Sequence, residues 1–312
     1  MLHLRTPVLA YASLALSMAL VGSYVALSKV LVLVFPVLLL AWLRFGIGAI
    51  AMANWVQRQP GEAPLSARDR KLLFWESFFG NFLFSVCMLF GVSLTSALAA
   101  GVIMASIPAV VAVLSWALLR ERIAPRVQLG IACAVAGIAL LSIAKSWNGG
   151  NNSSADPRAL LGNLLLFAAV CCEATYVVIG KQLTANVSAK RISALVNLWG
   201  WTLVTPFGLY FAWQFDFTTV ATGHWALLVF YSLAASMITV WLWMSGLRQV
   251  PAASAGVFTV MLPISAAAVG VVFLDEQFTV GHAAAFALAL AGVVLATWPG
   301  RPTPATVAPP VG

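Results

Sequence analysis

Two ionisable side chains lie deep inside apolar stretches of this sequence, where a charge can carry out chemistry. Arg44 follows Pro36 by eight residues, which is about 12 Å along a helix, and Glu173 lies about 21 Å from one end of its stretch. A charge in lipid is costly unless it faces protein or water. Arg44 either attracts a substrate carboxylate or is a structural group tied to helix carbonyls or an acid. Glu173 either relays a proton or binds an amine, or it pairs with a basic residue.

Other charged residues stand nearer the ends of these stretches. Glu76, Lys29 and Lys181 are expected to reach the membrane interface along their flexible stems. Glu121 and Glu276 end apolar stretches in basic or polar turns at two equivalent positions, and this doubling suggests a structural cap or loop clamp.

Aromatic and polar side chains at similar depths could line a substrate cavity. An apolar and aromatic lining with a few convergent polar atoms suits a zwitterion that has a hydrophobic side chain. Helices surrounded by protein are apolar on all sides, so periodicity does not tell which residues face the cavity. The candidates are Tyr24, Arg44, Asn81, Ser85, Glu173, Tyr176, Asn197, Trp201, Met237 and Trp241.

The composition requires a lipid solvent around these groups. The 312 residues are 62% hydrophobic and 8% charged, with a mean hydropathy of +0.97, too few polar side chains to cover a soluble globule. A membrane-spanning helix needs about 20 apolar residues. Ten such stretches occur, at roughly 8–33, 36–56, 72–92, 95–119, 125–145, 159–181, 192–213, 223–246, 251–273 and 279–298. The prediction is an all-α polytopic membrane protein.

The ten stretches form two copies of one unit. Residues 91–137 recur as 246–292 at an offset of 155, and Tyr24–Lys29 recurs as Tyr176–Lys181 at an offset of 152. Self-similarity of this length identifies the building unit. Five is an odd number, so the second copy must enter the membrane from the opposite side. The predicted fold is ten transmembrane helices arranged as two inverted five-helix repeats.

The repeat divides the chain into domains. We predict a first five-helix repeat at 1–145, an external linker at 146–158 and a second, inverted repeat at 159–298. The linker is polar and rich in turn-forming residues. The proline-rich tail, 299–312, is predicted to be disordered in the cytoplasm.

Basic residues give the orientation. Of the 17 lysines and arginines, Lys29 and Arg44 lie inside stretches, Lys145 and Arg158 lie on one side, and the other 13 lie on the side of the N-terminus. Positive residues collect on the cytoplasmic side of a membrane. Both termini are therefore predicted to be cytoplasmic, in the inner or plasma membrane.

Two prolines in equivalent positions are candidate hinges. Pro108 and Pro263 fall near the middle of the fourth and ninth stretches, and each removes one backbone hydrogen bond at bilayer depth. They either serve the rocking of inverted halves or are tolerated kinks.

Small residues at four-residue spacing, such as Ala97 and Gly101, favour close helix contacts.

Several kinds of chemistry have no support in the sequence. The four cysteines lie within apolar stretches without a CxxC pair, and the three histidines are widely separated, so we predict no metal or other cofactor. No phosphate-binding loop occurs, which argues against direct use of ATP. We expect no nucleic-acid partner, because the net charge of +8 reflects membrane orientation.

The doubled proline-containing helix that ends in Glu, the segment GSYVALSK and the tetrapeptide Trp42-Leu-Arg44-Phe resemble the drug/metabolite transporter superfamily. Within it the chain is similar to the ten-helix EamA-type exporters, and most to YddG-type exporters of aromatic and neutral amino acids. The resemblance implies a central cavity built by helices 1 to 4 and 6 to 9. One departure is that the second half has Val196 and Asn197 where an arginine would match Arg44.

Three classes of function remain open from sequence. The leading hypothesis is a secondary transporter that exports aromatic or neutral amino acids, or similar metabolites, by alternating access as a monomer or homodimer. The alternatives are an exporter of another drug or metabolite class, an intramembrane lipid enzyme, and a channel or receptor-like protein. An enzyme would need paired acids or histidines at helix ends, and inverted repeats with mid-span prolines favour alternation over a permanent pore.

Overall fold

We describe the fold from a computed structural model of the chain. The structure describes residues 5–58, 62, 64–107, 109–110, 113–114, 125–126, 128–130, 132–133, 136–137, 140, 157–183, 187–247, 258 and 261–297. Most of the predicted stretch 125–145 and part of 251–273 therefore lie outside the described residues.

All the regular structure in the described ranges is helical. The helices are, in chain order, α1 (Arg5–Val34), α2 (Val37–Ala51), α3 (Ala67–Ser77), α4 (Phe84–Leu94), α5 (Ala97–Met104), α6 (Pro157–Leu183), α7 (Ala189–Gln214), α8 (Thr222–Leu233), α9 (Thr239–Leu247), α10 (Met261–Phe273) and α11 (Val280–Thr297). Short 3-10 turns cover Ala53–Trp55 and Phe217–Thr219. Five continuous helices in these ranges are long and apolar enough to cross a membrane: Val8–Val34, Ala67–Leu94, Pro157–Tyr176, Ala189–Gln214 and Thr222–Trp243.

The helix that begins at Ala67 is longer than the apolar stretch 72–92 from which it was predicted. Ser66 accepts a hydrogen bond from the Asp69 backbone N–H, and the Asp69 side chain accepts one from the Ser66 backbone. This capping box stabilises the first turn. The helix therefore begins in the charged segment that precedes the apolar stretch.

Two π-helical segments interrupt long helices at equivalent positions. The first π segment, Phe78–Leu83, joins α3 to α4, and the second π segment, Ala234–Ile238, joins α8 to α9. Moving the first by the repeat offset of 155 gives 233–238. Thr239 bonds the Ala234 carbonyl through both its backbone N–H and its hydroxyl, the latter at 2.9 Å. Such segments are rare and concentrate at functional sites.

Equivalent glycines make the same helix contact in both halves. A Cβ added at Gly91 of α4 would lie 2.8 Å from Leu166 Cγ and 3.1 Å from the Gly162 carbonyl oxygen of α6. A Cβ at Gly246 of α9 would lie 2.5 Å from Leu14 Cγ and 3.0 Å from the Ala10 carbonyl oxygen of α1. Ala10 and Leu14 precede Gly162 and Leu166 by 152 residues. The repeat found in the sequence therefore recurs as a repeat of helix packing.

The small residues of α5 pack against other helices, as predicted. A Cβ at Gly101 would lie 3.2 Å from Ala266 Cβ of α10 and 3.4 Å from the Phe286 ring of α11. Leu98, Ala99 and Val102 belong to the same buried cluster.

Two loop glutamates cap helices at opposite ends of the bundle. Glu276, after α10, accepts the backbone N–H of Ala97 at 2.8 Å and that of Leu98 at 2.9 Å, and Lys29 Nζ donates to it at 2.8 Å. The predicted cap at Glu276 is confirmed, whereas Glu121 lies outside the described residues. At the other end Glu62 accepts the N–H of Ser188, the residue before α7, at 2.8 Å.

Candidate functional site

Arg44 lies in the interior of the helix bundle, on the buried face of α2. Its side chain is 4% exposed, and Nη1 donates a hydrogen bond to Ser85 Oγ of α4 at 2.9 Å. The guanidinium lies 4.8 Å from the centre of the Phe45 ring and 5.5 Å from that of Tyr231. Among the described residues Arg44 forms no ion pair, and its Nε has no hydrogen-bond partner. A buried cation held mainly by rings and one hydroxyl can accept an anion.

Two tyrosines, Tyr24 and Tyr231, lie near this cation. Tyr24 of α1 is buried, and its ring meets that of Tyr231 edge-on with 5.8 Å between centres. Edge-on contacts of this kind stabilise aromatic pairs. The hydroxyl of Tyr231 is buried and interacts with the Arg44 guanidinium. The apolar faces and free polar atoms together suit an amphipathic ligand.

Two carboxylates belong to the same interior. Glu76 of α3 is 1% exposed and its Oε2 has no hydrogen-bond partner in the described part of the chain, so the prediction that Glu76 reaches the interface is wrong. Packing of α3 against α6 and α7 encloses it before its short stem can reach water. Glu173 of α6 is partly buried, close enough to Glu76 and Arg44 for their charges to interact.

A small cavity of about 30 Å³ lies where the two π segments meet α6 and α7. Its polar lining consists of Asn81, Tyr176, Ser193, Asn197 and Ser236, and its apolar lining of Val196, Ala235 and Val240. Tyr176 packs directly on Gly80 of the first π segment, where no side chain could be accommodated.

The remaining predicted residues are more scattered. Trp201 Nε1 is buried without a partner in the described part of the chain and lies against Gly46, whereas Met237 is partly buried and outside the cavity lining. Trp241 is 51% exposed on the outer surface of α9. Of the two candidate hinges, Pro263 is buried in α10 and Pro108 lies outside the described residues.

Sequence reasoning missed Tyr231 and Ser236, although the repeat contained a signal for both. At the offset of 155, Ser236 matches Asn81 and Tyr231 matches Glu76. Applying the offset to every polar residue in a span would have found them. Phe45 and Ser193 carry no comparable signal, because a phenylalanine or serine in an apolar helix is ordinary.

A helical membrane protein with buried charges, free polar atoms and paired π segments in its interior has the form of a transporter. The family comparison agrees. The chain belongs to the EamA-like transporter family, whose model matches residues 8–143 and again residues 160–298. The protein is thus a multi-pass transporter with the family's ten-helix membrane fold, and not an enzyme.

Individual relatives agree with this assignment. The chain is 35% identical over 285 residues to "Uncharacterized transporter YetK" of Bacillus subtilis, covering 91% of this chain and 85% of that protein. It is 27% identical over 223 residues to "Uncharacterized transporter YwfM" of the same organism, covering 69% and 71%. A solved crystal structure with a TM-score of 0.64 and 18% identity covers 91% of this chain and 94% of the other, which shows the fold alone.

Proposed function

We propose that this transporter exports neutral amino acids, chiefly those with aromatic or apolar side chains, by alternating access, as the resemblance to YddG-type exporters implies. The observation that supports this is Arg44, a buried cation with no ion pair among the described residues. Leaving such a charge without an anion is costly. A solute carboxylate would supply the counter-charge, and the rings of Tyr24, Phe45 and Tyr231 would contact its apolar side chain.

The proposal places both termini in the cytoplasm. The cytoplasmic placement comes from the 13 basic residues on one side and is part of the proposal. The prolines Pro108 and Pro263 remain proposed hinges for the exchange between outward-open and inward-open states.

Counterflow in sealed vesicles tests the substrate class. Purified protein is reconstituted into vesicles preloaded with one unlabelled amino acid (Trp, Phe, Thr or Met), and uptake of the labelled compound is followed. We expect saturable, preload-dependent uptake, strongest for Trp and Phe. Vesicles with equal amounts of Arg44→Gln protein are the control. Absence of saturable flux for every amino acid would refute the substrate class and would favour another metabolite class.

Proton coupling is a further part of the proposal. Glu76 of α3 and Glu173 of α6 are close enough for their charges to interact. The ionisable side chains that interact with one or other of them include Arg44, Tyr24, Cys172 and Tyr176. Two buried carboxylates that lie close together repel each other, and a proton bound to one of them relieves this repulsion. Flux of Glu173→Gln protein is therefore expected to lose its response to an imposed pH gradient. An unchanged response would remove this residue from the coupling mechanism.

A further inference from the structure

The cavity between the π segments contains two buried oxygen atoms that lack hydrogen-bond partners. Asn197 is 2% exposed and Ser236 is 6% exposed, and Asn197 Oδ1 and Ser236 Oγ have no partner among the described residues. Leaving such atoms unsatisfied costs free energy. The cavity is therefore incomplete without a group that donates hydrogen bonds.

The orientation of the Asn197 amide is set by the backbone of α2. Asn197 Nδ2 donates to the Phe45 carbonyl oxygen at 2.8 Å, so its Oδ1 is the atom left without a partner. Most serines within the long helices bond a carbonyl one turn earlier, as Ser232 does to Leu228 at 2.7 Å. Ser236, in the second π segment, makes no such bond. Its hydroxyl is free to accept.

Gly48 of α2 packs closely against both oxygens. A Cβ at this position would lie 2.9 Å from Asn197 Oδ1 and 3.1 Å from Ser236 Oγ. Asn81, the repeat equivalent of Ser236, adds a second amide to the lining. The cavity thus combines neutral acceptors from both halves of the chain, and its volume of about 30 Å³ admits one group about the size of a water molecule.

The surrounding charges favour a cation. Glu76 precedes Gly80 by one helical turn and has an unpartnered oxygen, and Tyr176 contributes an aromatic ring to the lining. Carboxylates and ring faces both attract ammonium groups. Arg44 bonds Ser85, which lies one turn, about 6 Å, beyond Asn81 on the same continuous helix. An anion site and a cation site are therefore neighbours.

We propose that this cavity is the ammonium subsite of the transport site. A primary ammonium of the solute would donate to Asn197 Oδ1, Ser236 Oγ and the Asn81 amide oxygen while Arg44 holds the carboxylate. The inference rests on the proposed function, because it takes an α-amino acid as the solute. A free alkali cation such as Na⁺ satisfies the same oxygens, and a trapped water would do so without charge.

Competition against labelled phenylalanine, bound to the purified full-length protein, tests the subsite. Three unlabelled competitors are used. Phenylalanine has both charged groups, 3-phenylpropionate lacks the ammonium, and phenethylamine lacks the carboxylate. Wild-type protein is expected to prefer phenylalanine to 3-phenylpropionate at least tenfold. Ser236→Ala is expected to weaken phenylalanine about tenfold and to leave 3-phenylpropionate unchanged. Gly48→Ala, which presses a methyl against both oxygens, should act in the same direction.

The control is Ser232→Ala, which removes a buried hydroxyl of α8 that bonds only its own helix. It should leave all three affinities unchanged. Suppose that wild-type protein binds phenylalanine. If Ser236→Ala then weakens the binding of phenylalanine and of 3-phenylpropionate equally, or weakens the binding of neither, the subsite is refuted while the proposed function stands. The subsite is also refuted, in favour of an alkali-ion site, if phenylalanine binding to wild-type protein requires Na⁺ in place of choline and this requirement disappears in Ser236→Ala. If wild-type protein binds no amino acid, both proposals fail.

Discussion

At the scale of single residues, the apolar interior around Arg44 strengthens the attraction between its guanidinium and an anion. The guanidinium has a hydroxyl and two rings as neighbours and no carboxylate partner among the described residues. In a low-dielectric interior an anion brought to this point interacts far more strongly than it would in water. Selectivity for a carboxylate is therefore concentrated in one planar group, which can bind both carboxylate oxygens.

Replacing Arg44 should separate the effects of charge and geometry. Arg44→Gln is expected to weaken phenylalanine binding by about 10- to 100-fold, because charge-assisted hydrogen bonds contribute about 1.5–3 kcal/mol. Arg44→Lys keeps the charge but not the planar pair of donors, so an intermediate loss is expected. Competitive binding to the purified protein provides the measurement.

The control for this series is Ser23→Ala, which removes a hydroxyl of α1 that bonds only its own helix, at Ala19. Phenethylamine, which has no carboxylate, should bind Arg44→Gln protein no more weakly than wild type. An equal loss for phenethylamine and phenylalanine would show that Arg44 supports the fold and not the carboxylate.

At the scale of elements, side chains from loops that are distant in sequence cap the ends of helices. Glu276 and Ser96 together accept the first three backbone N–H groups of α5, those of Ala97, Leu98 and Ala99. These groups have no partner inside a helix. Glu276 is placed for this by the preceding turn, in which Asp275 adopts a φ of 52° and the Glu276 N–H bonds the Gly270 carbonyl at 3.0 Å. The turn that ends α10 therefore caps α5.

The cap at Glu276 predicts a pH-dependent stability. Burial alone would raise the pKa of Glu276, but hydrogen bonds from Lys29, Ala97 and Leu98 outweigh it and lower that pKa below its usual value, about 4.3. The ionised carboxylate thus stabilises the fold above that value, and the contribution is lost as the pH falls through the lowered pKa. Glu276→Gln is expected to destabilise the fold by about 1–3 kcal/mol at pH 7, with a smaller difference at pH 4.

Thermal unfolding in detergent at the two pH values checks this effect. The matched control is Asp275→Asn, which removes the neighbouring charge and tolerates the left-handed backbone. It should leave the midpoint close to that of wild type. Lys29→Met should cost less than Glu276→Gln, because the carboxylate keeps its two backbone donors. A Glu276→Gln midpoint equal to wild type at both pH values would show that the cap adds nothing.

The repeated glycine contacts predict equal sensitivity in the two halves. Gly91→Ala and Gly246→Ala each push a methyl against a leucine and a backbone carbonyl of the facing helix, and overpacking of this kind costs about 1–3 kcal/mol. Gly223→Ala is the control, since nothing lies within 4 Å of a Cβ there, and alanine suits a helix better than glycine. Unfolding midpoints in detergent should fall for the first two variants and not for the third. Tolerance of alanine at either contact would argue against close packing there.

At the scale of the whole molecule, inversion of the two halves makes a directional prediction. Position 68 lies in the first turn of α3 and position 182 in the last turn of α6. An inverted repeat places both on the cytoplasmic side, whereas it places position 218, between α7 and α8, outside. Single cysteines introduced as Arg68→Cys, Gln182→Cys and Thr218→Cys, in a chain whose four native cysteines are replaced by alanine, can be labelled in intact cells by a membrane-impermeant reagent. Only Thr218→Cys should react before lysis.

Labelling of positions 68 and 182 on opposite sides would contradict the inverted arrangement. Retained transport by the cysteine-free chain is the control for its fold. The domain boundaries at 145, 159 and 298 remain proposals, and so do the cytoplasmic termini until this measurement.

Much of the fold was predictable because it depends on local and compositional physics. Apolar length predicts spans, and the matched spacing of Gly91 and Gly246 predicted a doubled unit whose contacts the structure confirms. The site was less predictable. The depth of Arg44 pointed to its importance, but neither the enclosure of Glu76 nor the exposure of Trp241 follows from position along a helix.

By itself the sequence determined the solvent, the number of spans and the doubling of the chain, because each depends on which residues occur and at what interval. Tertiary structure alone decided which polar atoms meet. Asn197 Oδ1 and Ser236 Oγ come together beside Gly48 only because α2, α7 and the second π segment converge there. Helices that are apolar on all sides carry no periodic signal of their facing partners, so that convergence exists only in three dimensions.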